Sequence, residues 1–474
     1  MKENLSIVLL LCATTLLASL IIIAAYKHSW PYKEARMTVS REAVSSDTAE
    51  SLAQAPLPSP TPGPASPTPK PTEGAEHHAP TGAVEITAVP TLPEDLPTPT
   101  PVPKSDIPPM GVIVDLDYNS DVDDVAALRI ATSLAKLGRI ELRAVMASTA
   151  GEEVCKAMHA HLRYDGFGSV PIGASVGTVH SGSPYWKDMI NAHFSEADYK
   201  LSDSLSLYKA VLADCSRREE LIRANMAAKK QAEKDKEKAM EETPPETDGE
   251  GNSSGNHKRT MEEREKAEEA EREAKEAAAQ SAKIRIITTG YLVNIAALLQ
   301  DPEGYALVAK YVDSIWITGG VYLQGEDHNF CVTEEAALAA NYVSLNCPVP
   351  LIYSSSASVE EGEDVIVCGG SIMNAAGAGL DPVVIAFSGY GKANNVNLKG
   401  GRIAWDPFCV WAACLPSEDT LTHLQPIHIS VSAGGWNRFR EDLPANCQYI
   451  VRDSKDLGWY VGQLDMIINL GLAR

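Results

Sequence analysis

The stretch of the chain with the clearest chemistry is an acidic cluster of five aspartates within ten residues. It directly follows the apolar run Met110–Val114, and its members are Asp115, Asp117, Asp121, Asp123 and Asp124. Carboxylates this close together repel one another, so the fold must supply a cation or strong hydrogen-bond donors. An apolar run, a polar turn and then an amphipathic pattern predict a strand, a loop and a helix. We therefore expect the cluster at the carboxyl end of a strand, where open α/β sheets bind ligands.

Two linear motifs are alternatives for this cluster. An EF-hand loop counted from Asp115 needs Gly at its sixth position and Glu at its twelfth, where this chain has Ser120 and Ala126, so this reading fails. The segment DLD also resembles the strand-Asp-x-Asp start of haloacid dehalogenase-type phosphatases, whose first Asp is the nucleophile. Those enzymes usually have Thr or Val where this chain has Asn119, and their motif does not account for Asp121, Asp123 and Asp124. That phosphatase reading stays open as an alternative.

The elements that must position the cluster alternate between strand and helix patterns. Val- and Ile-rich runs predict strands at MGVIVDLD, IELRAVMAS, VPIGAS, KIRIITTG, VDSIWITGG and VPLIYSS. Amphipathic runs between them predict helices over residues 121–138, 151–166, 291–300 and 333–345. This alternation predicts an α/β fold with a mainly parallel open sheet and helices on both faces.

The segments before this domain have a different composition. After a short tail (residues 1–4), the run from Leu5 to Ala25 is apolar over about 21 residues, which is enough to cross a ~30 Å hydrocarbon core. It predicts a single-pass signal-anchor. Residues 26–107 are rich in Pro, Ser and Thr, and 17 of the 30 prolines of the chain lie between Pro56 and Pro109. Such a segment predicts a disordered stalk that displays an extracellular or lumenal domain, residues 108–474, at a distance from a bilayer.

A charged segment at residues 217–281 interrupts this domain. Its apolar residues are mostly Ala and Met, and it predicts two helical arms around a disordered tip.

The 474-residue chain carries a formal charge of −22, which argues against a nucleic-acid partner. The nine cysteines include no C-x-x-C pair, so we expect no zinc ribbon, and both disulfides and buried thiols stay open.

Five segments in chain order resemble the inosine-uridine-preferring nucleoside hydrolase family. The acidic cluster resembles its hallmark of a strand ending in Asp-x-Asp followed by Asp-Asp at a helix start, with a turn two residues longer. VMASTAGE resembles a segment ending in Gly-Asn, with Glu152 in the Asn place. The remaining matches are TTGYLVNIA, then ITGG with the Asp327-His328-Asn329 and Glu335-Ala336-Ala337 segments, and finally the Trp405-Asp406-Pro407 segment.

The resemblance implies a Ca²⁺ ion bound by Asp117, Asp124, the main-chain carbonyl of Thr289 and Asp406. It also implies that Asp117 takes the proton of the attacking water, that Asp123 acts at the same centre, and that the substrate is a ribonucleoside whose N-glycosidic bond is hydrolysed. The residues that the family match places around the substrate are Asp123, Glu152, Asp327, Asn329 and Trp405. A homo-oligomer is a further expectation from the family.

Some residues depart from the family pattern. Trp405 stands where the family has His, and an indole cannot protonate a leaving base, although it can stack on one. Asp327 is one methylene shorter than the usual Glu, and His328 is a candidate for the missing acid. Two hypotheses therefore compete: a membrane-anchored, calcium-dependent ribonucleoside hydrolase, and a catalytically altered, metal-binding surface protein.

Overall fold

The computed structural model describes residues 108–472, except residues 181, 183–184, 242–268, 270–271, 273–275, 362–363 and 376. The predicted signal-anchor at residues 5–25 and the predicted stalk at residues 26–107 lie outside the described residues, so both stay predictions. Among the helices that are described, none is both long and apolar enough to span a bilayer.

Within these residues the chain forms an 11-stranded sheet and two small two-stranded sheets. The strands are β1 (Met110–Leu116), β2 (Ile140–Ala147), β3 (Ile172–Ala174), β4 (Leu201–Asp203), β5 (Ile284–Thr288), β6 (Val312–Thr318), β7 (Gln324–Glu326), β8 (Leu351–Ser354), β9 (Glu360–Glu361), β10 (Asp364–Val365), β11 (Val367–Cys368), β12 (Arg402–Ile403), β13 (Thr422–Val431), β14 (Trp436–Arg440) and β15 (Cys447–Arg452).

The helices connect and cover these strands. They are α1 (Asp123–Lys136), α2 (Glu152–Tyr164), α3 (Lys187–His193), α4 (Ser204–Glu241), α5 (Val293–Gln300), α6 (Pro302–Tyr311), α7 (His328–Cys331), α8 (Glu334–Asn346), α9 (Ser356–Val359), α10 (Gly370–Met373), α11 (Pro382–Asn394), α12 (Trp405–Cys414), α13 (Ser417–Thr420) and α14 (Leu457–Asn469). A short 3₁₀ helix, Leu470–Leu472, follows α14.

The large sheet has the order β4-β3-β2-β1-β5-β6-β8-β15-β13-β14-β7. Its strands are parallel from β4 through β15, and the remaining pairs β15–β13, β13–β14 and β14–β7 are antiparallel. The predicted α/β class with a mainly parallel sheet is therefore confirmed. The sequence did not predict the antiparallel extension.

Both faces of the sheet carry a core, because successive side chains of a strand point to opposite faces. On β1, Val112 and Val114 belong to one buried cluster, which includes α1, α12 and α14. Ile113 belongs to a second buried cluster, which includes residues of α4, α5 and α8. All three residues of the run VIV are apolar because both faces of the sheet are buried at this strand.

The order of the central strands determines where the polar loops meet. β1, β5 and β6 are neighbours, and they end at Leu116, Thr288 and Thr318. The loops that leave these three parallel strands therefore lie side by side at one edge of the sheet. Helix α12 packs against α1 and brings its first turn to the same edge. The sheet thus assembles residues that lie almost 300 positions apart in the sequence.

The charged insertion begins inside a helix. Helix α4 runs for 38 residues and includes the first arm of the segment predicted at 217–281. Residues 276–282 are also helical, and Ile222 of α4 forms a small buried cluster with Ala278 and Ala282. The two arms therefore contact each other where they join the domain. The tip expected between them, residues 242–268, lies outside the described part of the chain.

Candidate functional site

Three buried carboxylates converge at the carboxyl edge of the sheet. Asp117 follows β1, Asp124 lies in the first turn of α1, and Asp406 lies in the first turn of α12. One oxygen from each of them lies within 4.8 Å of the other two, and the side chains are almost completely buried. In the described part of the chain, this is the only group of three or more acidic, His or Cys side chains with that spacing.

Burial works against charge at this cluster. It raises the pKa of Asp117, Asp123, Asp124 and Asp406, and for Asp124 and Asp406 the neighbouring carboxylates raise the pKa further. Several negative charges in so dry a site are stable only when a positive charge compensates them. The arrangement therefore favours a bound cation over four ionised carboxylates without a counter-charge.

The unsatisfied atoms of the cluster fit a cation as well. Asp123 Oδ1 and Asp124 Oδ2 are buried, and neither has a hydrogen-bond partner among the described residues. The other oxygen of Asp123 accepts a hydrogen bond from the backbone N–H of Asp406, at 3.2 Å. Buried carboxylate oxygens without a donor are rare unless they bind an ion or a ligand. A set of carboxylate oxygens suits a hard divalent cation, so this buried Asp cluster could bind a metal.

Thr289, directly after β5, ties the neighbouring loops to this cluster. Its hydroxyl donates to Asp124 Oδ1 at 2.8 Å, and its backbone N–H donates to the carbonyl of Asp115 at 2.8 Å. Its own carbonyl accepts a hydrogen bond from Asn329 Nδ2 at 2.8 Å. A side chain at Gly290 would place its Cβ 2.6 Å from both N and Cβ of Asp117. Glycine is therefore required for the close approach of the β5 loop to Asp117.

A buried polar network lies beneath the cluster and fixes the end of β1. Asp115 accepts hydrogen bonds from Asn294 Nδ2 and from the hydroxyl of Tyr208, at 3.1 and 2.9 Å. Burial raises the pKa of Asp115 to about 7, against the lowering effect of these two donors. Ser204, the first residue of α4, donates to Asn294 Oδ1 at 2.8 Å. Helix α4 is thus part of the support of the site.

Asp327 and Asn329 meet the cluster from the loop after β7. Asp327 caps helix α7, because its side chain accepts the backbone N–H of Asn329 at 3.0 Å. Burial raises the pKa of Asp327 to about 6. The amide of Asn329 donates to the carbonyls of Thr289 and Thr318, at 2.8 and 3.2 Å. Asn329 therefore connects α7 to the ends of β5 and β6, at the edge where Asp117 lies.

The remaining two residues expected near a substrate have other contacts. The indole N–H of Trp405 donates to Glu360 Oε1 at 2.8 Å, and the ring packs against the guanidinium of Arg402, 5.3 Å from the ring centroid. Glu152 begins helix α2 with an exposed side chain that pairs with Lys156 at 3.2 Å. Trp405 is half-buried beside Asp406, whereas the structure does not bring the carboxylate of Glu152 into the buried cluster.

Long-range contacts bring in one residue that the sequence did not indicate, and they give partners to two residues that it did. Arg402 pairs with Asp121, with Nε 3.0 Å from Oδ1, so Asp121 has a counter-charge. His328 Nε2 lies 3.0 Å from the hydroxyl of Ser120, in the turn between Asp117 and Asp123. Only the position of Arg402, shortly before Trp405, could have drawn attention to it.

Comparisons with known proteins give weak similarities. No protein-family model matches the chain, and no curated protein matches it. Among solved structures, similar chains include the type III effector protein XopQ complexed with adenosine diphosphate ribose (13% identity, TM-score 0.45) and the effector protein XOO4466 (13%, 0.47), each covering 77% of this chain and 94% of that chain. A plant nucleoside hydrolase, PpNRh1, has 15% identity and a TM-score of 0.42, over 77% of this chain and 100% of that chain. Similarity at this level assigns no activity. The topology and the site define an α/β protein with a buried carboxylate cluster at the sheet edge.

Proposed function

We propose that this protein is a calcium-dependent hydrolase of the N-glycosidic bond of ribonucleosides, attached to a membrane by residues 5–25. The observation that carries the proposal is the convergence of Asp117, Asp124 and Asp406, with oxygens within 4.8 Å of one another. Their order and flanking residues also match the nucleoside hydrolase motifs in the sequence. A linear phosphatase motif does not require the third carboxylate, which comes from α12, almost 300 residues away.

The calcium site has a defined set of ligands in this proposal. Carboxylate oxygens of Asp117, Asp124 and Asp406 would hold the ion together with the carbonyl of Thr289. When bound, calcium supplies positive charge that lowers the pKa of water at the site. The hydroxyl of Thr289 and the amide of Asn329 orient these ligands, through the hydrogen bonds to Asp124 Oδ1 and to the Thr289 carbonyl. Such outer contacts fix the position of metal ligands.

The protein side chains account for the other requirements of the reaction. Asp117 accepts the proton of a water molecule that attacks the anomeric carbon of the ribose, and the bond from that carbon to the base nitrogen breaks. Positive charge develops on the sugar ring, and the buried carboxylates, including Asp123, stabilise it electrostatically. Asp327 and the carbonyl oxygen of the Asn329 side chain accept hydrogen bonds from ribose hydroxyls. Burial of the cluster keeps bulk water away from the reacting carbon.

A second candidate function is cation binding without catalysis, at the surface of a membrane. One contact favours it: the indole N–H of Trp405 is engaged with Glu360 Oε1 at 2.8 Å, so Trp405 gives no proton to a leaving group. In that case the carboxylate cluster would stabilise the fold, and the domain would serve as a binding module.

The experiment that separates these functions measures ribose release by the full-length protein from a panel of purine and pyrimidine ribonucleosides, with calcium or with a chelator. We expect turnover with calcium, loss of turnover with chelator, and loss of turnover in Asp117→Asn and Asp406→Asn. Asp453→Asn is the matched control, because Asp453 is exposed and pairs with His423 on the distant strand β13. Absence of turnover on the whole panel, with calcium still raising the melting temperature, would establish the non-catalytic alternative instead.

A further inference from the structure

Hydrolysis of an N-riboside has a second demand besides attack by water. The nitrogen of the departing base receives the electron pair of the broken bond, and an acid that protonates the base makes it a better leaving group. The buried aspartates face a developing positive charge on the sugar, and Trp405 uses its N–H for Glu360. A proton donor for the base must therefore come from another part of the site.

His328 lies at the open side of the carboxylate cluster. It is exposed, it is the first residue of α7, and it directly follows Asp327. Its Nε2 lies 3.0 Å from the hydroxyl of Ser120, which belongs to the same turn as Asp117. On its other side the imidazole packs against Tyr291, with a distance of 6.2 Å between ring centroids. These contacts fix the ring beside the cluster and leave it accessible to a ligand.

Charged groups surround this imidazole. The electrostatic interaction with this imidazole opposes the effect of burial on the pKa of Asp117 and on the pKa of Asp327. Both carboxylates therefore lie close enough to His328 to interact with it electrostatically. In the described part of the chain, Nδ1 has no hydrogen-bond partner, whereas Nε2 is engaged with Ser120. Nδ1 is therefore the ring nitrogen that is left for a ligand.

One other histidine lies in a loop at the same edge of the sheet. His180 follows β3, and its Nδ1 lies 2.9 Å from the carbonyl of Ala150. Gly182 of the same loop packs against Asn119 and Ser120, but no hydrogen bond of the described residues joins the ring of His180 to the turn between Asp117 and Asp123. The ring of His328, by contrast, is bonded to that turn.

We propose that His328 protonates the departing base, in the ribonucleoside hydrolysis on which this inference rests. The Nδ1–H of the imidazolium gives its proton to a nitrogen of the base while the bond from that base to the anomeric carbon breaks. The attacking water forms the new bond to that carbon and gives its proton to Asp117. Transfer of a proton from Asp117 back to His328 through solvent restores the starting state, and the products are ribose and the neutral base.

The test compares two substrates in the full-length protein with calcium. Release of inosine's base requires protonation, whereas 4-nitrophenol leaves from 4-nitrophenyl β-D-ribofuranoside as a stable anion. In His328→Gln we expect kcat/KM for inosine to fall about 10²-fold to 10⁴-fold, which is the usual contribution of a general acid. Activity on the nitrophenyl riboside is expected to stay within about twofold of the wild type. The same substitution at His428 is the control and should change neither rate, because His428 lies on the distant strand β13 and bonds the carbonyl of Pro444.

The outcomes are distinct. Equal losses on both substrates would assign His328 to positioning and overturn its role as the acid. No loss on inosine in His328→Gln, with a selective loss in His180→Gln, would move that role to His180. Wild-type protein that hydrolyses neither riboside would refute the proposed function, and no residue would then have a role as the acid. Wild-type protein active on the nitrophenyl riboside alone would support the hydrolase and overturn the role of His328.

Discussion

The side-chain amide of Asn329 donates a hydrogen bond to the carbonyl of Thr289 at 2.8 Å. This contact joins the start of α7 to the end of β5, and it involves the one main-chain oxygen in the ligand set proposed for calcium. The sequence match placed Asn329 near a ribose, but the structure gives its N–H₂ group to two carbonyls and leaves its oxygen for a ligand. One side chain thus connects the proposed cation site to the proposed sugar site.

Replacement of Asn329 by Ala is therefore expected to weaken calcium binding. Loss of a contact of this kind around a metal site typically costs about 10-fold to 100-fold in affinity. Isothermal titration with calcium measures the change. Asn446→Ala is the matched control, because Asn446 also bonds a backbone N–H and a carbonyl, both of Ile429, but on β13. Equal calcium affinity in the two variants would contradict the role of Asn329.

Gly290 is expected to tolerate no side chain. The Cβ of Gly290→Ala would meet Asp117 at 2.6 Å and also the hydroxyl of Ser148, so Asp117 or the β5 loop must move. We expect a loss of about 1–3 kcal/mol of unfolding free energy and weaker calcium binding. Chemical denaturation and calcium titration measure these two effects. Gly379→Ala, at a position where a Cβ meets nothing within 4 Å, should leave calcium binding unchanged. If Gly290→Ala binds calcium as the wild type does, the site does not depend on this close approach.

A buried ion pair predicts how stability depends on pH. Arg129 Nε lies 3.0 Å from Asp165 Oδ2, and both side chains are fully buried. Burial raises the pKa of Asp165, but Arg129 and His161 outweigh it and hold the pKa well below its ordinary value. The ionised carboxylate therefore stabilises the fold above the unfolded-state pKa of about 3.9, and this stabilisation is lost as the pH falls towards the folded-state pKa.

Asp165→Asn should accordingly cost about 3 kcal/mol at pH 7, because it leaves Arg129 with one carboxylate fewer in the core. The difference between wild type and variant should shrink as the pH falls from about 5 to about 2. Urea denaturation at a series of pH values measures it. Asp442 also has its pKa lowered, to about 2, by Arg440, but this pair is exposed and screened by solvent. Asp442→Asn should show no such pH-dependent difference, and a flat difference for Asp165→Asn would argue against the pair.

The cysteines of the described residues are expected to be free and slow to react. All eight are unpaired, and burial raises the pKa of Cys155, Cys409 and Cys447 to about 12. Since the thiolate is the nucleophile, native protein at pH 8 should react slowly with an alkylating reagent. In denaturant without reductant, mass spectrometry should show all eight alkylated. Cysteines that react only after reduction would show a disulfide.

The sequence was sufficient for the part of the fold whose signals are local. β1, α1, β2 and α2 follow one another with clear apolar periods, and each lies where its pattern predicts it. The strand β13 was not predicted, because polar residues and Pro426 interrupt its alternation and its stability comes from pairing with β15. A strand of this kind is defined by its partners more than by its own residues.

The candidate site also has a part that local sequence predicts and a part that it does not. Asp117 and Asp124 could be named because they stand in one short segment, and Asp406 only because its motif resembles a known family. The contacts of Trp405 with Glu360, of Asp121 with Arg402 and of His328 with Ser120 join residues that are far apart in the sequence. No local pattern specifies such pairs, since they follow from the strand order.

Helix α4 explains how the domain can carry a long insertion without damage to its site. Its first turns supply Ser204 and Tyr208 to the network around Asp115, and the added residues begin more than two turns further along the helix. The arms leave the domain at Ile222 and return at Ala282. A change in the length of the inserted segment therefore alters nothing that the carboxylates touch. This makes the insertion a suitable place for a fluorescent label or an affinity tag that leaves the carboxylate cluster intact.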